Sequence, residues 1–537
     1  MLSRAASALL LMATATISTA TPAPKAIVMM IIDDWGYADS TLNPDVSSPD
    51  IPMKNTQALA SQGVILANNH AQPVCSPTRS ALMTGRFPFR DGMQHENTIM
   101  PGSTAAIPLT TPTVPELLAE HASFISYAVG KWHLGYAHWK NTPTGRGFKG
   151  HVGYFQGQVD YYNKTVGKGP VSGFDFWDGQ KEYRDAVGNY SLPQYMAAVR
   201  RFVGEWKNDT ASKDDSPGLF LYLSHQTVHV PLEAAGEDAR CGHISDYWRR
   251  VYCSMLVELD DSMVELVSIL NDAVGEDWVM LAMADNGGMV RFSESQDDHD
   301  KPNFPASAGD NRPLRGSKTT LFEGGVRSTS FVTGGSTMIP KAARGTTYGG
   351  LMHAVDYPAT VLALAGVDLS SISGKGKDGA PTLDGINHWD AIMGTTAAAH
   401  TLPLRKHLPL NVVNNGSDYS AIRFGDIKLI LGAPTLAIGN NTGAWWAGGV
   451  GKPVEKQPAH ARGRPYLFNV TADPYEHHEI EASDPHYAAL VKKGTDLLNG
   501  YVSSGDYSEP QENKIHLAAL PVLHGGAWLP WLKDAEL

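Results

Sequence analysis

The sequence predicts an α/β fold. A large, mostly parallel sheet sandwiched by helices occupies residues 25–403, and a smaller C-terminal α+β domain with an antiparallel sheet occupies 404–537. Three observations carry this expectation. The runs Ala26–Ile32, Leu219–Leu223 and Trp278–Met283 are continuously apolar, as strands covered on both faces are. Stretches of helical period lie between them, and strands alternating with helices build parallel sheets. From about Leu404 the texture changes to shorter segments, with a hairpin signal at Gly425-Asp426.

Taken in order, residues 1–20 read as a secretory signal peptide. Arg4 gives the positive start, Ala5 to Ala13 the short apolar run and Ser18-Thr19-Ala20 the cleavage site. The first strand ends abruptly in Asp33-Asp34-Trp35-Gly36, and a helix from about Asn55 to Gln62 is stopped by Gly63. Ser76 is a candidate N-cap, Pro77 suits the first helical position, and Gly85 is placed to end the turns that follow. Pro115 to Glu120 opens another helix, and Tyr127 to Gly130 leads into Lys131-Trp132-His133. Residues 145–178, rich in Gly, Tyr and Phe without a period, read as long loops. Leu219–Leu223 runs into the segment that carries His229. A helix with apolar positions from Tyr247 to Leu270 then precedes the third strand, which ends in Asp285-Asn286-Gly287-Gly288. Ser420 to Leu431 reads as a hairpin, Tyr466 to Thr471 as a strand and Ala482 to Asn499 as a helix.

A chain of 537 residues can bury one large core and a second, smaller one. The formal net charge of -12, with no basic block, argues against nucleic acid as a partner. A local cationic pocket for a small anion is still compatible with that balance. No stretch is long and apolar enough to span a membrane. Asn163, Asn189, Asn208, Asn415, Asn440 and Asn469 each open an Asn-x-Ser/Thr triplet, which fits export. The expected location is therefore secreted, or the lysosomal or endomembrane lumen. Cysteine is scarce for such a protein: Cys75, Cys241 and Cys253. The last two could pair if the loop before Ser245 folds back on the helix.

The polar motifs sit at strand exits, where ligands gather in folds of this kind. Cys75, at a helix mouth with Arg79 near it, reads as an activated nucleophile or as a buried apolar residue; its chemistry alone leaves both open. Asp33, Asp34, Asp285 and Asn286 offer only hard oxygens, which suit calcium or magnesium and not zinc; each motif alone could also be a plain turn. His133, His229, Lys131 and Lys318 are of the type that moves protons, or that is simply solvated.

Cys75-x-Pro77-x-Arg79, extended through Ala81 to Arg86, resembles the sulfatase signature. Gly130 to Gly135, Gln226 to Leu232, Leu314 to Lys318 and Glu323 to Arg327 resemble further sulfatase motifs in the family's order, so the resemblance covers nearly the whole chain. It implies an alkaline phosphatase/sulfatase-like fold and hydrolysis of sulfate esters. Cys75 would be oxidised to formylglycine (3-oxoalanine) by the formylglycine-generating enzyme. Its hydrate would attack sulfur and take the sulfate as an ester, and a second hydroxyl gives an intramolecular exit. Asp33, Asp34, Asp285 and Asn286, with residue 75, would hold calcium ahead of magnesium. Arg79 and Lys131 would steady the hydrate and sulfate, His229 and Lys318 would serve the leaving oxygen, and His133 would remove the second hydroxyl's proton.

Within the family, Gly92-Met93-Gln94-His95, Gly153-Tyr154, Asp160-Tyr161-Tyr162, Phe468 to Pro474 and Trp528 to Trp531 most resemble the arylsulfatase B group. That resemblance implies an N-acetylgalactosamine-4-sulfatase-like enzyme acting on sulfated amino sugars of glycosaminoglycans, with aryl sulfates as artificial substrates. His95 becomes a substrate-pocket candidate, and equally a loop histidine. The chain lacks most of that group's cysteines. A phosphate- or phosphonate-ester hydrolase and a non-catalytic carbohydrate binder are the competing readings. Asp297 to Asp300 reads as an acidic loop.

Overall fold

The structure, a computed structural model, describes residues 23–43, 45–46, 50–94, 98–210, 216–290, 308–372, 383–394, 404–414, 419–432 and 464–536. Ten strands form the large sheet. In chain order they are β1 (Ala26–Ile32), β2 (Val64–Leu66), β3 (Phe124–Lys131), β4 (Gly150–Tyr154), β5 (Trp177–Asp178), β6 (Lys181–Glu182), β7 (Gly218–His225), β8 (Trp278–Ala284), β9 (Ser330–Gly334) and β10 (Thr346–Tyr348). Their spatial order is β10-β2-β9-β8-β1-β7-β3-β4-β5-β6. The central five, β8-β1-β7-β3-β4, are parallel. Both flanks turn antiparallel, at β8–β9–β2 and at β4–β5–β6.

Successive residues of β1 enter two separate cores, which is why the strand is apolar throughout. Ile27, Met29 and Ile31 pack among residues of α2 (Cys75–Thr84), α3 (Val114–His121) and α6 (Asp356–Leu364). Val28, Met30 and Ile32 pack among residues of α4 (Ser191–Thr210) and α5 (Tyr247–Val274). The remaining helices of eight residues or more among the described residues are α1 (Lys54–Ser61) and α7 (Tyr487–Ser503).

The second sheet is antiparallel and follows chain order: β11 (His407–Asn411), β12 (Ser420–Phe424), β13 (Ile427–Leu431) and β14 (Tyr466–Asn469). Gly425 and Asp426 form the β12–β13 turn. Cys241 and Cys253 form a disulfide with a Cα–Cα distance of 5.9 Å, closing the loop before α5 onto its second turn. Among the described residues no helix is long and apolar enough to cross a membrane.

Three expectations need correction. Residues 145–178 are not only loops: Gly150–Tyr154 is a full strand of the parallel set, paired with β3. Val74, not Ser76, caps α2, and the Ser76 hydroxyl instead accepts a hydrogen bond from Ile99 N at 3.2 Å. The C-terminal helix begins at Tyr487, after a run of turns, and not at Ala482.

Candidate active site

Strand register assembles the site. Ile32 pairs with His225 on one side and with Ala284 on the other, and Ser224 pairs with Gly130. The residues just beyond these positions, Asp33, Gln226, Asp285 and Lys131, therefore emerge at one edge. Asp33 N donates to Thr227 O and Val228 N to Asp33 O, stitching the first exit to the segment leading to His229. Asp34 turns back with φ 59, a left-handed conformation that aspartate tolerates. The α2 segment enters beside them and ends at Gly85, whose φ of 66 places it in the αL cap.

Three buried carboxylates meet three buried cations there. Lys131 Nζ is 2.7 Å from Asp33 Oδ2, and Lys318 Nζ is 2.7 Å from Asp34 Oδ1. Arg79 Nη2 is 2.8 Å from Asp285 Oδ2 and 3.4 Å from Asp33 Oδ2. Asp33, Asp34 and Asp285 each bring an oxygen within 4.8 Å of the other two; Asp33, Cys75 and His229 do the same with one oxygen, Sγ and one ring nitrogen. Asn286 Nδ2 donates to Asp34 Oδ1 at 2.7 Å. Asp33 Oδ1 and Asn286 Oδ1 are buried with no hydrogen-bond partner among the described residues.

Charge state follows from this packing. Burial by itself would raise the Asp33 carboxyl, but Lys131, His229 and Arg79 together pull it down to about 2. Asp34 is likewise lowered: Lys318 and His229 outweigh its burial. Burial opposes ionisation of the Cys75 thiol, yet Lys131, Lys318 and a hydrogen bond with His229 lower it overall. Burial and the nearby Lys131 hold His133 well below the usual imidazole range.

The two histidines have defined tautomers because each touches a carbonyl, which can only accept. His133 Nε2 donates to Ile99 O at 3.0 Å, leaving Nδ1 buried and without a partner among the described residues. His229 Nδ1 donates to Val230 O at 2.7 Å, leaving Nε2 directed at Asp34 Oδ2, 3.8 Å away. A buried cluster of acid, base, nucleophile and fixed positive charge can bind a tetrahedral oxyanion and exchange protons around it.

A family model described as Sulfatase matches residues 25–367, well over half of the chain. The chain belongs to the sulfatase family. Arylsulfatase J of Mus musculus is 29% identical over 532 residues, covering 95% of this sulfatase and 80% of the relative. N-acetylgalactosamine-6-sulfatase of Mus musculus is 28% identical over 339 residues, 59% of each chain. In fold, the sulfatase is similar to the crystal structure of Ps i-CgsB, with a TM-score of 0.68 at 23% identity over 91% of this chain and 94% of that one.

Asp33, Asp34, Cys75, Arg79, Lys131, His229, Asp285, Asn286 and Lys318, singled out from sequence, thus fall in one cluster of this sulfatase, with His133 under the field of Lys131 and Arg79. His95 and the Asp297 to Asp300 segment lie outside the described residues. Sequence reasoning missed Ile99, which acts through its carbonyl, and Gly157, whose missing side chain makes room for the His133 ring. Neither position carries a side-chain signal; only the tertiary contact identifies it.

Proposed function

We propose that this sulfatase hydrolyses sulfate esters of sulfated carbohydrates and aryl sulfates, releasing inorganic sulfate, with formylglycine at residue 75 and a calcium ion at Asp33, Asp34, Asp285 and Asn286. The observation that carries the reading is the meeting of Cys75 with three carboxylates and three fixed cations at the ends of β1 and β8. The donor set fits a hard divalent ion: all four ligands offer oxygen, and two of those oxygens, on Asp33 and Asn286, are buried and unengaged. When bound, calcium supplies positive charge against a bound sulfate, and formylglycine supplies a nucleophilic hydroxyl with a second hydroxyl for its own regeneration.

The chain's own residues divide the remaining work. Arg79 and Lys131 are fully buried and held by carboxylates, so they present fixed charge to the sulfate oxygens without reorganising. His229 and Lys318 have side chains 8% and 9% exposed, against 0% for Arg79 and Lys131. They therefore stand at the solvent side, where the alcohol departs, and His229 Nε2 is the atom to deliver its proton. His133, neutral and donating through Nε2, offers Nδ1 as the acceptor for the proton released when residue 75 is regenerated.

The finer identity follows the arylsulfatase B resemblance: N-acetylgalactosamine-4-sulfate is the first substrate to test, alongside the 6-sulfate for which the Mus musculus relative is named. Export, maturation by the formylglycine-generating enzyme and a division at residue 404 belong to the same reading. Exposed Asn163, Asn189 and Asn208 support the luminal route. The Asp33–Cys75–His229 grouping, with sulfur and nitrogen donors, is what a zinc phosphoesterase with an unmodified thiol would use. One set of measurements separates the two. Mass spectrometry of the peptide spanning residue 75 is expected to show the aldehyde, and sulfate release is expected to stop on calcium chelation and in Asp285→Ala. An intact thiol with phosphate-ester turnover would establish the phosphoesterase instead.

A further inference from the structure

Residues 508–536 form a strap that runs back over the large domain, and one side chain of it reaches the active-site scaffold. Asn513 Nδ2 donates to Thr98 O at 2.7 Å, and its Oδ1 accepts from Met100 N at 2.9 Å. Only one orientation of the amide satisfies both bonds, so the side chain is fixed by its partners. It replaces the neighbouring strand that residues 98–100, which have no regular structure, do not have. The residue bracketed between those two peptides is Ile99. Its N–H donates to the Ser76 hydroxyl, next to Cys75, and its carbonyl accepts from His133 Nε2.

We propose that Asn513 is a positioning residue for the sulfatase reaction: by clamping both peptides around Ile99 it holds that carbonyl on His133, keeping the ring in the tautomer and orientation that free Nδ1. The inference rests on the role assigned to His133 above. The rest of the strap is anchored elsewhere. Gln511 bonds to Asp91 O and to both the amide and carbonyl of Ala106, and His516 N bonds to Gly102 O. Among the described residues of the strap, Asn513 is the one whose side chain brackets Ile99.

Steady-state kinetics on one aryl sulfate should be measured for Asn513→Leu, His133→Ala, the double variant and, as a control, Gln511→Met. Asn513→Leu is expected to lower kcat about ten-fold with KM unchanged, because a displaced Ile99 carbonyl misplaces the base and not the bound sulfate. In the His133→Ala background the same change is expected to cost nothing further. Gln511→Met is expected to lower the melting temperature while keeping kcat. If Asn513→Leu does not fold, Asn513→Asp, which keeps the acceptor for Met100 N and loses the donor, reads the same cycle.

An equal loss in both backgrounds, a loss in KM alone, or a matching kcat loss in Gln511→Met would overturn the proposal while leaving the role of His133 intact. Wild-type kcat in His133→Ala would overturn both.

Discussion

Lys428 of the small sheet places its ammonium 2.8 Å from Glu323 and 2.8 Å from Glu476, with all three side chains fully buried. Glu323 opens the helical turn that follows the Lys318 loop, and it also meets Arg327 at 3.0 Å and His70 at 3.2 Å. Burial by itself would raise the Glu323 carboxyl; Lys428, His70 and Arg327 instead hold it well below the ordinary range. Glu476 is raised, by burial first and by Glu323 after the pull of Lys428. The small sheet is thus tied by charge to the loop that carries Lys318.

Removing the shared cation leaves two carboxylates buried against each other. Lys428→Met is expected to destabilise the protein by about 3–5 kcal/mol, the scale for a broken buried pair. Glu476→Gln is expected to cost less, since burial and the neighbouring Glu323 already oppose ionisation of its carboxyl. Equilibrium urea unfolding measures both. A Lys428→Met protein as stable as the wild type would mean that the cluster is solvated or carries no net interaction.

Gly157 lies against the His133 ring. A Cβ there would fall 2.7 Å from His133 Cε1 and 2.8 Å from Nε2, the atom bonded to Ile99 O. Real Cβ contacts are not that short, so the imidazole must move in Gly157→Ala. Its kcat is expected to fall about ten-fold or more with little change in melting temperature. Turnover at the wild-type rate would show that the ring's present position is not the working one.

How far this architecture was legible depended on where each piece keeps its information. Ala26–Ile32 and the Asp33-Asp34 exit were plain because a doubly covered strand must be apolar throughout and its end must be polar. The Gly425-Asp426 turn was plain for its local chemistry. Gly150–Tyr154 was not: its His151 and Gly153 break the apolar run, and pairing with β3 supplies what the segment lacks by itself. Ser76 was read as a cap on local grounds, yet its hydroxyl is taken by Ile99 N, twenty-three residues on. Asn513 acts on a peptide more than four hundred residues earlier, a relation no window of sequence contains.

Two of the buried histidines show how acid erodes stability. Burial lowers His151 to about 4 and His353 to about 3. In the unfolded chain both return to an ordinary value near 6.5. Between these values the unfolded state binds more protons at these two rings, so their contribution to stability is present above about pH 6.5 and is lost as pH falls. From pH 7 to pH 5 each is expected to cost about 2 kcal/mol. Urea midpoints at the two pH values, with calcium in excess, compare the parent with His151→Gln, whose change in stability from pH 7 to pH 5 is expected to be less unfavourable by about 2 kcal/mol. A His151→Gln protein with the parent's pH dependence would contradict neutral burial of that ring.

The proton for the departing alcohol has one best source. His229 Nδ1 is committed to Val230 O, so any proton it gives away must leave from Nε2, on the side facing Asp34 and solvent. A leaving group that is already a stable anion needs no such proton, whereas a sugar alkoxide does. His229→Ala is therefore expected to lower kcat/KM for a sugar sulfate by about a hundred-fold or more, and for a nitrophenyl sulfate by much less. Lys318, equally near the solvent side, is bonded to Asp34 and its ammonium is held well above the ordinary range, the ion pair with Asp34 and the nearby residue 75 outweighing its burial. It is accordingly the poorer acid and should not rescue the loss. Equal losses on the two substrates would assign His229 to holding sulfate rather than to protonating the alcohol, and a matched loss in Lys318→Ala on the sugar substrate alone would move the donor role to the lysine.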